Sequence, residues 1–294
     1  MISVLIPAHN EAGNLTPLVQ KLARTFEANQ RDGEVVLIDD GSTDATGAEA
    51  DMLAAQHPFL HVIHQRRNRG LTEALKAGFR VVRGDPILFL PADLESDPEE
   101  DIPKLLAKMA EGYDVVAGWR QGRRDRKLLA SGIYNRASRL LYGVDAHDMN
   151  WIKAFTREVM DDLHLRSDWH RFILMIAAAN GYRIGEVKVN FYPRVRGRSK
   201  FGFWRIPVSF LDALVVKFLL TFSRKPMLFF GGAGMLFVLA GLGILAYLAW
   251  LFFGFDTQQR PVFIFGIFMI VSGLLLFLVG FLAELIVAQT ERLR

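Results

Sequence analysis

Two stretches constrain this chain more than any other feature: residues 226–255 and residues 261–283 contain no Asp, Glu, Lys or Arg. Each is longer than the roughly 20 apolar residues a helix needs to cross the hydrocarbon of a bilayer. The pair therefore predicts a membrane hairpin, with spans at about 227–253 and about 262–284 inside a unit at about 226–288. The chain of 294 residues is 51% hydrophobic with mean hydropathy +0.20. That excess is concentrated in the hairpin, because charges are frequent up to Pro193. A charged domain at 1–200, a juxtamembrane segment at 201–225 and the hairpin are the expected divisions.

Arg224 and Lys225 precede the hairpin and Arg292 and Arg294 follow it, whereas the loop between the spans has Arg260 alone. Lys and Arg favour the cytoplasmic flank, so the N-terminal domain and both termini are expected on the cytoplasmic side of a two-span cell-membrane protein. No secretory leader is read at the start, where Asn10 and Glu11 follow the short run 2–7. Gly234 and Gly241, and then Gly266, Gly273 and Gly280, recur every seven residues and share one face of each span. Small residues let helix backbones approach in lipid, so these faces pack together or join a homo-oligomer. Glu284 lies near the end of the second span and no ionisable residue lies deeper, which makes the hairpin an anchor and not a transport path. Ahead of it, apolar residues at 206, 210, 214, 218 and 222, and at 211, 215 and 219, describe an amphipathic helix. It lies in the interface or packs on the hairpin.

The charged domain alternates short apolar runs with helical patterns. Strands are predicted at 3–7, 34–39, 61–65, 87–90, 114–118 and 183–191, with helices at 14–30, 72–82, 99–112 and 128–141 between them. Alternation at this spacing predicts an α/β fold with a mostly parallel sheet, whose site gathers at the carboxyl ends of the strands. Three acidic segments would meet there: 7–11, Asp39-Asp40-Gly41-Ser42-Thr43-Asp44, and Pro91-Ala92-Asp93-Leu94-Glu95-Ser96-Asp97. Asp93 and Glu95 are two apart, so at a strand end both point to one face and can share a divalent cation carrying a diphosphate. Ser96, Asp97 and Pro98 read as the cap of the next helix.

Several chemistries are excluded. There is no cysteine, so disulfides and thiolate metal sites are absent. Neither G-x-G-x-x-G nor the P-loop pattern occurs, which leaves a nucleotide to be held by carboxylates and a metal. The net charge of +4 and pI near 9.4 suit an anionic membrane surface or phosphorylated substrates. Nucleic acid is not an expected partner, because the basic runs lack an aromatic stacking platform. Those runs are Arg120, Arg123, Arg124, Arg126 and Lys127, and then Arg194, Arg196, Arg198 and Lys200. Their cations can hold a phosphate.

The segments Ile6-Pro7-Ala8-His9-Asn10-Glu11, Ile38-Asp39-Asp40-Gly41-Ser42-Thr43-Asp44 and Ala92-Asp93-Leu94-Glu95 resemble, in that order, the motifs of family 2 glycosyltransferases. That family has the GT-A fold, a Rossmann-like nucleotide-diphospho-sugar transferase domain. His170-Arg171-Phe172, the segment from Gly181-Tyr182 to Glu186-Val187, and Pro193-Arg194 with Gly197-Arg198-Ser199-Lys200 narrow the resemblance. They are similar to the polyprenyl-phosphate sugar synthases, of which dolichol-phosphate mannose synthase is the best-known type. The resemblance covers residues 1–200 and, more loosely, the two-span tail.

It implies that Pro7, His9, Glu11, Ile38, Asp39, Asp40 and Ala92 line the nucleotide, with His9 where the family often has tyrosine. Asp93 and Glu95 would bind Mg²⁺ or Mn²⁺, Glu95 standing in place of a common glutamine. Arg171 would neutralise the departing diphosphate, making Asp93, Arg171 and Arg120 the catalytic set. Arg120, Arg126, Lys127 and Ser131 would hold the acceptor phosphate, and Arg198, Ser199 and Lys200 a loop closing over the donor. Pro91 departs from the family, which usually has aspartate there; either Asp93 and Glu95 suffice for the metal or metal dependence is weakened.

The expected reaction is transfer of a hexose, mannose or glucose, from GDP-mannose or UDP-glucose to a polyprenyl phosphate, with inversion. A lipid phosphate is already an anion and needs no strong base, so positioning and charge carry the chemistry. Two alternatives stand. A hydroxyl acceptor on a glycolipid or polysaccharide would need a base, for which Asp148 is the candidate. A membrane-tethered scaffold that binds nucleotide sugar without turnover would also tolerate Pro91.

Overall fold

The computed structural model describes residues 1–122, 143–144, 146–163, 165–166, 169–193, 215, 218, 222, 225–255 and 260–292. The chain forms two compact units, Met1–Ala213 and Leu214–Arg294. The expected helix at 128–141 lies outside the described residues, as do Arg126, Lys127, Ser131, Arg198, Ser199, Lys200 and most of the amphipathic segment.

The first unit is built on a seven-stranded sheet: β1 Ile2–Ala8, β2 Gly33–Asp39, β3 Leu60–His64, β4 Ile87–Phe89, β5 Val115–Gln121, β6 Lys153–Phe155 and β7 Ile184–Asn190. Its order is β3-β2-β1-β4-β6-β5-β7. Every strand runs one way except β6, which is antiparallel to β4 and β5. The mostly parallel sheet expected from the alternation is what forms, and its exception was not legible because a strand of only three residues, KAF, has no period long enough to be read. The helices are α1 Leu15–Ala28, α2 Thr46–Gln56, α3 Leu71–Phe79, α4 Pro98–Ala110, α5 Arg157–Asp162 and α6 Ile173–Ala179, the last preceded by a 3₁₀ turn at Trp169–Phe172.

The apolar runs of β1, β2 and β4 are buried throughout except at Pro7 and Gly33. Helix α1 meets the sheet with Leu15, Leu18, Val19, Leu22 and Phe26, a helical stripe. Asp97 caps α4 by accepting from Glu99 N at 3.0 Å, Pro98 opens the first turn, and Glu99, Glu100 and Asp101 oppose the helix dipole there. The expected cap is therefore Asp97. Lys21 pairs with Asp97 and Arg24 with Glu99, which ties α1 to that same end of α4.

The second unit holds α7 Pro226–Phe255 and α8 Arg260–Arg292, both long and apolar enough to span a bilayer. Leu228, Leu236, Phe253, Ile264, Phe268 and Leu282 are exposed, a surface stable only against lipid. The glycine faces meet each other within the chain. A Cβ at Gly234 would stand 2.5 Å from Gly273 O, and one at Gly241 would stand 2.7 Å from Gly266 O. Of the two uses expected for these faces, packing of one span on the other is the one seen. Glu284 accepts from Met227 N at 3.1 Å, satisfying one of the unpaired donors at the start of α7.

Gly273→Leu should force the two helices apart and lower hairpin stability by about 1–3 kcal/mol. Gly232→Leu, at a position with open space around it, should not. Thermal midpoints of the full-length protein in detergent test this; equal midpoints for both variants would show that the glycine contact does not stabilise the hairpin.

Candidate active site

All strands but β6 end on one edge of the sheet, so the segments after β1, β2, β3, β4 and β5 emerge side by side. The loop after β1 is fastened to the loop after β2 by hydrogen bonds at every step. Asn10, in the left-handed region at φ 58°, donates from N to Ser42 Oγ at 3.0 Å and accepts from Thr43 N at 2.9 Å. Glu11 N donates to Thr46 Oγ1 at 2.8 Å, and the Glu11 carboxylate accepts from Asn14 Nδ2 at 2.8 Å.

Two buried carboxylates close β2. Asp39 accepts from Ser42 N at 2.9 Å and pairs with His64 Nδ1 at 3.0 Å. Burial pushes its carboxyl up, but the Ser42 and His64 hydrogen bonds outweigh that and hold it below the usual range. His64 is raised in turn by its bonds to Asp39 and Asp51. Asp40 accepts from Arg69 N at 2.8 Å and Gly70 N at 2.9 Å. Its carboxylate is thus the clamp of the β3–α3 loop. Gly41, at φ 63°, sits where a Cβ would strike the Arg67 backbone, so glycine is required for the two loops to abut. Ile38 is buried and faces Gly78 of α3, so its side chain belongs to the core.

Asp93 and Glu95 lie beyond the end of β4, not at it. Strand alternation stops at Phe89, and Leu94 has φ 58°, so the expectation that both side chains point one way by period two does not apply. The link between them is a turn instead, with Glu95 N donating to Asp93 Oδ1 at 3.2 Å. Asp93 and Ala92 are buried, and Glu95 and Pro91 are partly exposed. The chain after β7 returns to this turn: Tyr192 N donates to Glu95 O at 3.0 Å, and Tyr192 Oη to Glu100 Oε1 at 2.9 Å.

Arg120, the last residue but one of β5, is held on two sides. Its Nε and Nη2 donate to the two oxygens of Asp148 at 2.5 and 3.1 Å, and its Cζ lies 4.4 Å from the centre of the Trp151 ring. Asp148 is placed by Glu186 of β7, whose Oε1 accepts from His147 N at 2.7 Å and Asp148 N at 3.2 Å. Its Oε2 pairs with His147 Nδ1 at 2.7 Å. Arg171 lies in the 3₁₀ turn, and its neighbour His170 binds Thr72 of α3, with Nδ1 at 2.9 Å from Oγ1. Thr72, Glu186 and the buried Lys153 are parts of this site that sequence reasoning did not assign. A lysine in an apolar run was the available sign for the last.

With this geometry in hand, the comparisons are decisive. The model of Glycosyl transferase family 2 matches residues 3–179. This chain belongs to that family.

The family 2 chain is 32% identical over 300 residues to a dodecaprenyl-phosphate galacturonate synthase of Rhizobium johnstonii, covering 97% of this chain and 87% of the relative. It is 32% identical over 284 residues to an undecaprenyl-phosphate 4-deoxy-4-formamido-L-arabinose transferase of an Enterobacter species, covering 94% and 83%. The transferase also shares its fold with glucosyl-3-phosphoglycerate synthase from Mycobacterium tuberculosis, solved with Mn²⁺ and UDP, at a TM-score of 0.58 and 21% identity over 74% of this chain and 79% of the other. The GT-A fold and the glycosyltransferase class are therefore established. The relatives are polyprenyl-phosphate sugar synthases.

Behind the Asp93–Glu95 turn, Asp101 is fully buried. One oxygen accepts from Asp97 N at 3.2 Å and the other has no hydrogen-bond partner among the described residues. Burial pushes its carboxyl up to about 7. A native state that binds this proton more tightly than the unfolded chain loses stability as pH rises from the ordinary range of 3.8 through 7. Asp101→Asn should therefore raise the thermal midpoint at pH 8 and leave it little changed near pH 4; a variant that is less stable at pH 8 would contradict this assignment.

Proposed function

We propose that this transferase moves a sugar from a nucleotide sugar to the phosphate of a polyprenyl phosphate at the cytoplasmic face of a membrane, with inversion at the anomeric carbon. The observation that carries the phosphate acceptor is the Arg120–Asp148 pair. Asp148, the candidate base for a hydroxyl acceptor, has both oxygens engaged by one guanidinium. An acceptor that arrives as an anion needs no base, and a guanidinium anchored from behind suits a phosphate in front.

In this reading the loops after β1 and β2 receive the nucleotide. His9 and Glu11 come from the first, and Asp39 and Asp40 shape the second by holding its backbone. Arg171, on the turn pinned to Thr72, faces the departing diphosphate. Arg120 orients the acceptor phosphate, one oxygen of which attacks the anomeric carbon as the nucleotide diphosphate leaves. Arg126, Lys127 and the Ser131 hydroxyl assist the acceptor, and Arg198, Ser199 and Lys200 cover the donor.

A divalent cation, Mg²⁺ or Mn²⁺, fits Asp93 and Glu95. Among the described residues no group of three or more His, Asp or Glu side chains could cage an ion. Such an ion is commonly bound through one or two carboxylates together with the substrate's phosphates, and Asp93 and Glu95, joined in one turn, would supply them. When bound, it would neutralise charge on the diphosphate. Domains at 1–200, 201–225 and 226–288, with both termini cytoplasmic, complete the proposal.

The donor sugar is open between the mannose or glucose expected from the sequence and the galacturonate or formamido-arabinose of the relatives. Full-length protein in detergent, given undecaprenyl phosphate, Mg²⁺ and radiolabelled GDP-mannose or UDP-linked glucose, galacturonate or 4-formamido-arabinose, should glycosylate the lipid from one donor class. Asp93→Asn should reduce that rate about a hundredfold or more, and chelation should abolish it reversibly. Failure of the wild-type protein to label the lipid from any donor would sink the reading.

A further inference from the structure

Among the described residues Lys153 is one of the largest fully buried side chains, at 2% exposure, and it opens the antiparallel strand β6. Its register partners are Phe89, the last residue of β4, and Ala117 of β5. It therefore lies toward the carboxyl edge, between the strand that leads to Asp93 and the strand that carries Arg120. An ammonium has three donors, yet Nζ makes one hydrogen bond among the described residues, to Trp151 O at 2.8 Å. The Phe89 ring, 5.8 Å away, adds a weak cation–π contact.

A buried cation is costly unless it is paired, and among the described residues no carboxylate bonds to Nζ. The charged groups acting on Lys153 are Asp148, on the loop before β6, and Arg120 on β5; β4 contributes no titratable group. Asp148 is already bound at both oxygens by Arg120. Two cations thus share one carboxylate, and the excess positive charge is shielded from water. Such a cluster favours an added anion. A purely structural cation would instead have its own carboxylate.

We propose that Lys153 is a positioning residue whose buried charge, acting through the Asp148–Arg120 pair, attracts and orients the acceptor phosphate at Arg120. The inference rests on the acceptor reading above. Burial depresses the ammonium to about 8, opposed by Asp148 and aided by Arg120. An anion at Arg120 raises it again. The sign follows: acceptor affinity is full below about pH 8 and is lost as pH rises through the raised value of the complex.

The test is equilibrium binding of farnesyl phosphate to full-length protein in detergent, without donor, from pH 7 to 10, for wild type and Lys153→Met. The variant keeps the side-chain volume and removes the charge. Expected are a roughly tenfold weaker affinity at pH 7, loss of the fall above pH 8, an unchanged KM for the donor, and a thermal midpoint equal to or above that of wild type. A folded variant with wild-type affinity and pH profile overturns the proposal, as does a rise in the donor KM alone. If the variant does not fold, wild-type affinity decides: a flat profile from pH 7 to 10 overturns it and a fall above pH 8 supports it. Absence of sugar transfer by the wild type would refute the acceptor reading, and the binding comparison would still decide the role of Lys153.

Discussion

The edge of a parallel sheet exposes backbone donors and acceptors that the loops must satisfy, and here two adjacent carboxylates do most of that work. Asp39 and Asp40 end β2 with their side chains buried. Asp39 reaches back to its own loop and across to β3 through His64, while Asp40 takes the two N–H groups of Arg69 and Gly70. A buried carboxylate without donors would be costly, so the hydrogen bonds are obligatory, and they fix three loops at once. The β1 loop is then sewn to the β2 loop through Asn10, Ser42 and Thr43. Acids that a motif assigns to ligand contact are therefore also the frame that holds the cleft open.

The reversed strand β6 has the complementary effect on the other half of the edge. Because it runs against β4 and β5, its first residue, and the loop before it, arrive at the carboxyl edge where the other strands leave. Asp148, Trp151 and Lys153 are thereby delivered around Arg120 from the strand's entry side. Glu186, from the outermost strand, braces this loop through His147 and Asp148. The guanidinium is held on a carboxylate and an indole face simultaneously, which leaves little rotamer freedom to lose when an anion binds.

The parallel strands, the acids at their ends and the two spans were legible because each rests on a local pattern: an apolar run, a capping sequence, a length without charge. β1 and β2 appear within two residues of expectation for this reason. What was not legible depends on distant partners. A three-residue strand such as β6 has no pattern of its own, so neither its direction nor the burial of Lys153 can be read from Lys153-Ala154-Phe155. The turn at Leu94 removes the period-two argument for the two carboxylates, since a positive φ in a non-glycine residue leaves no mark in composition. Asp40 and Asp148 carried motif roles in the sequence, and only their hydrogen bonds reveal that they hold a loop and a guanidinium.

The two units answer to different solvents, and the glycines make that plain. In the first unit, Gly41 serves a turn at positive φ, and stability comes from burying Leu, Ile and Val away from water. In the hairpin, apolar side chains gain nothing by leaving lipid, so association must come from contact of backbones. Gly234, Gly241, Gly266 and Gly273 supply that contact across a single seam, while the large apolar residues face outward. The seven-residue repeat keeps the seam on one side of each helix along its length, so the pairing is satisfied inside one chain.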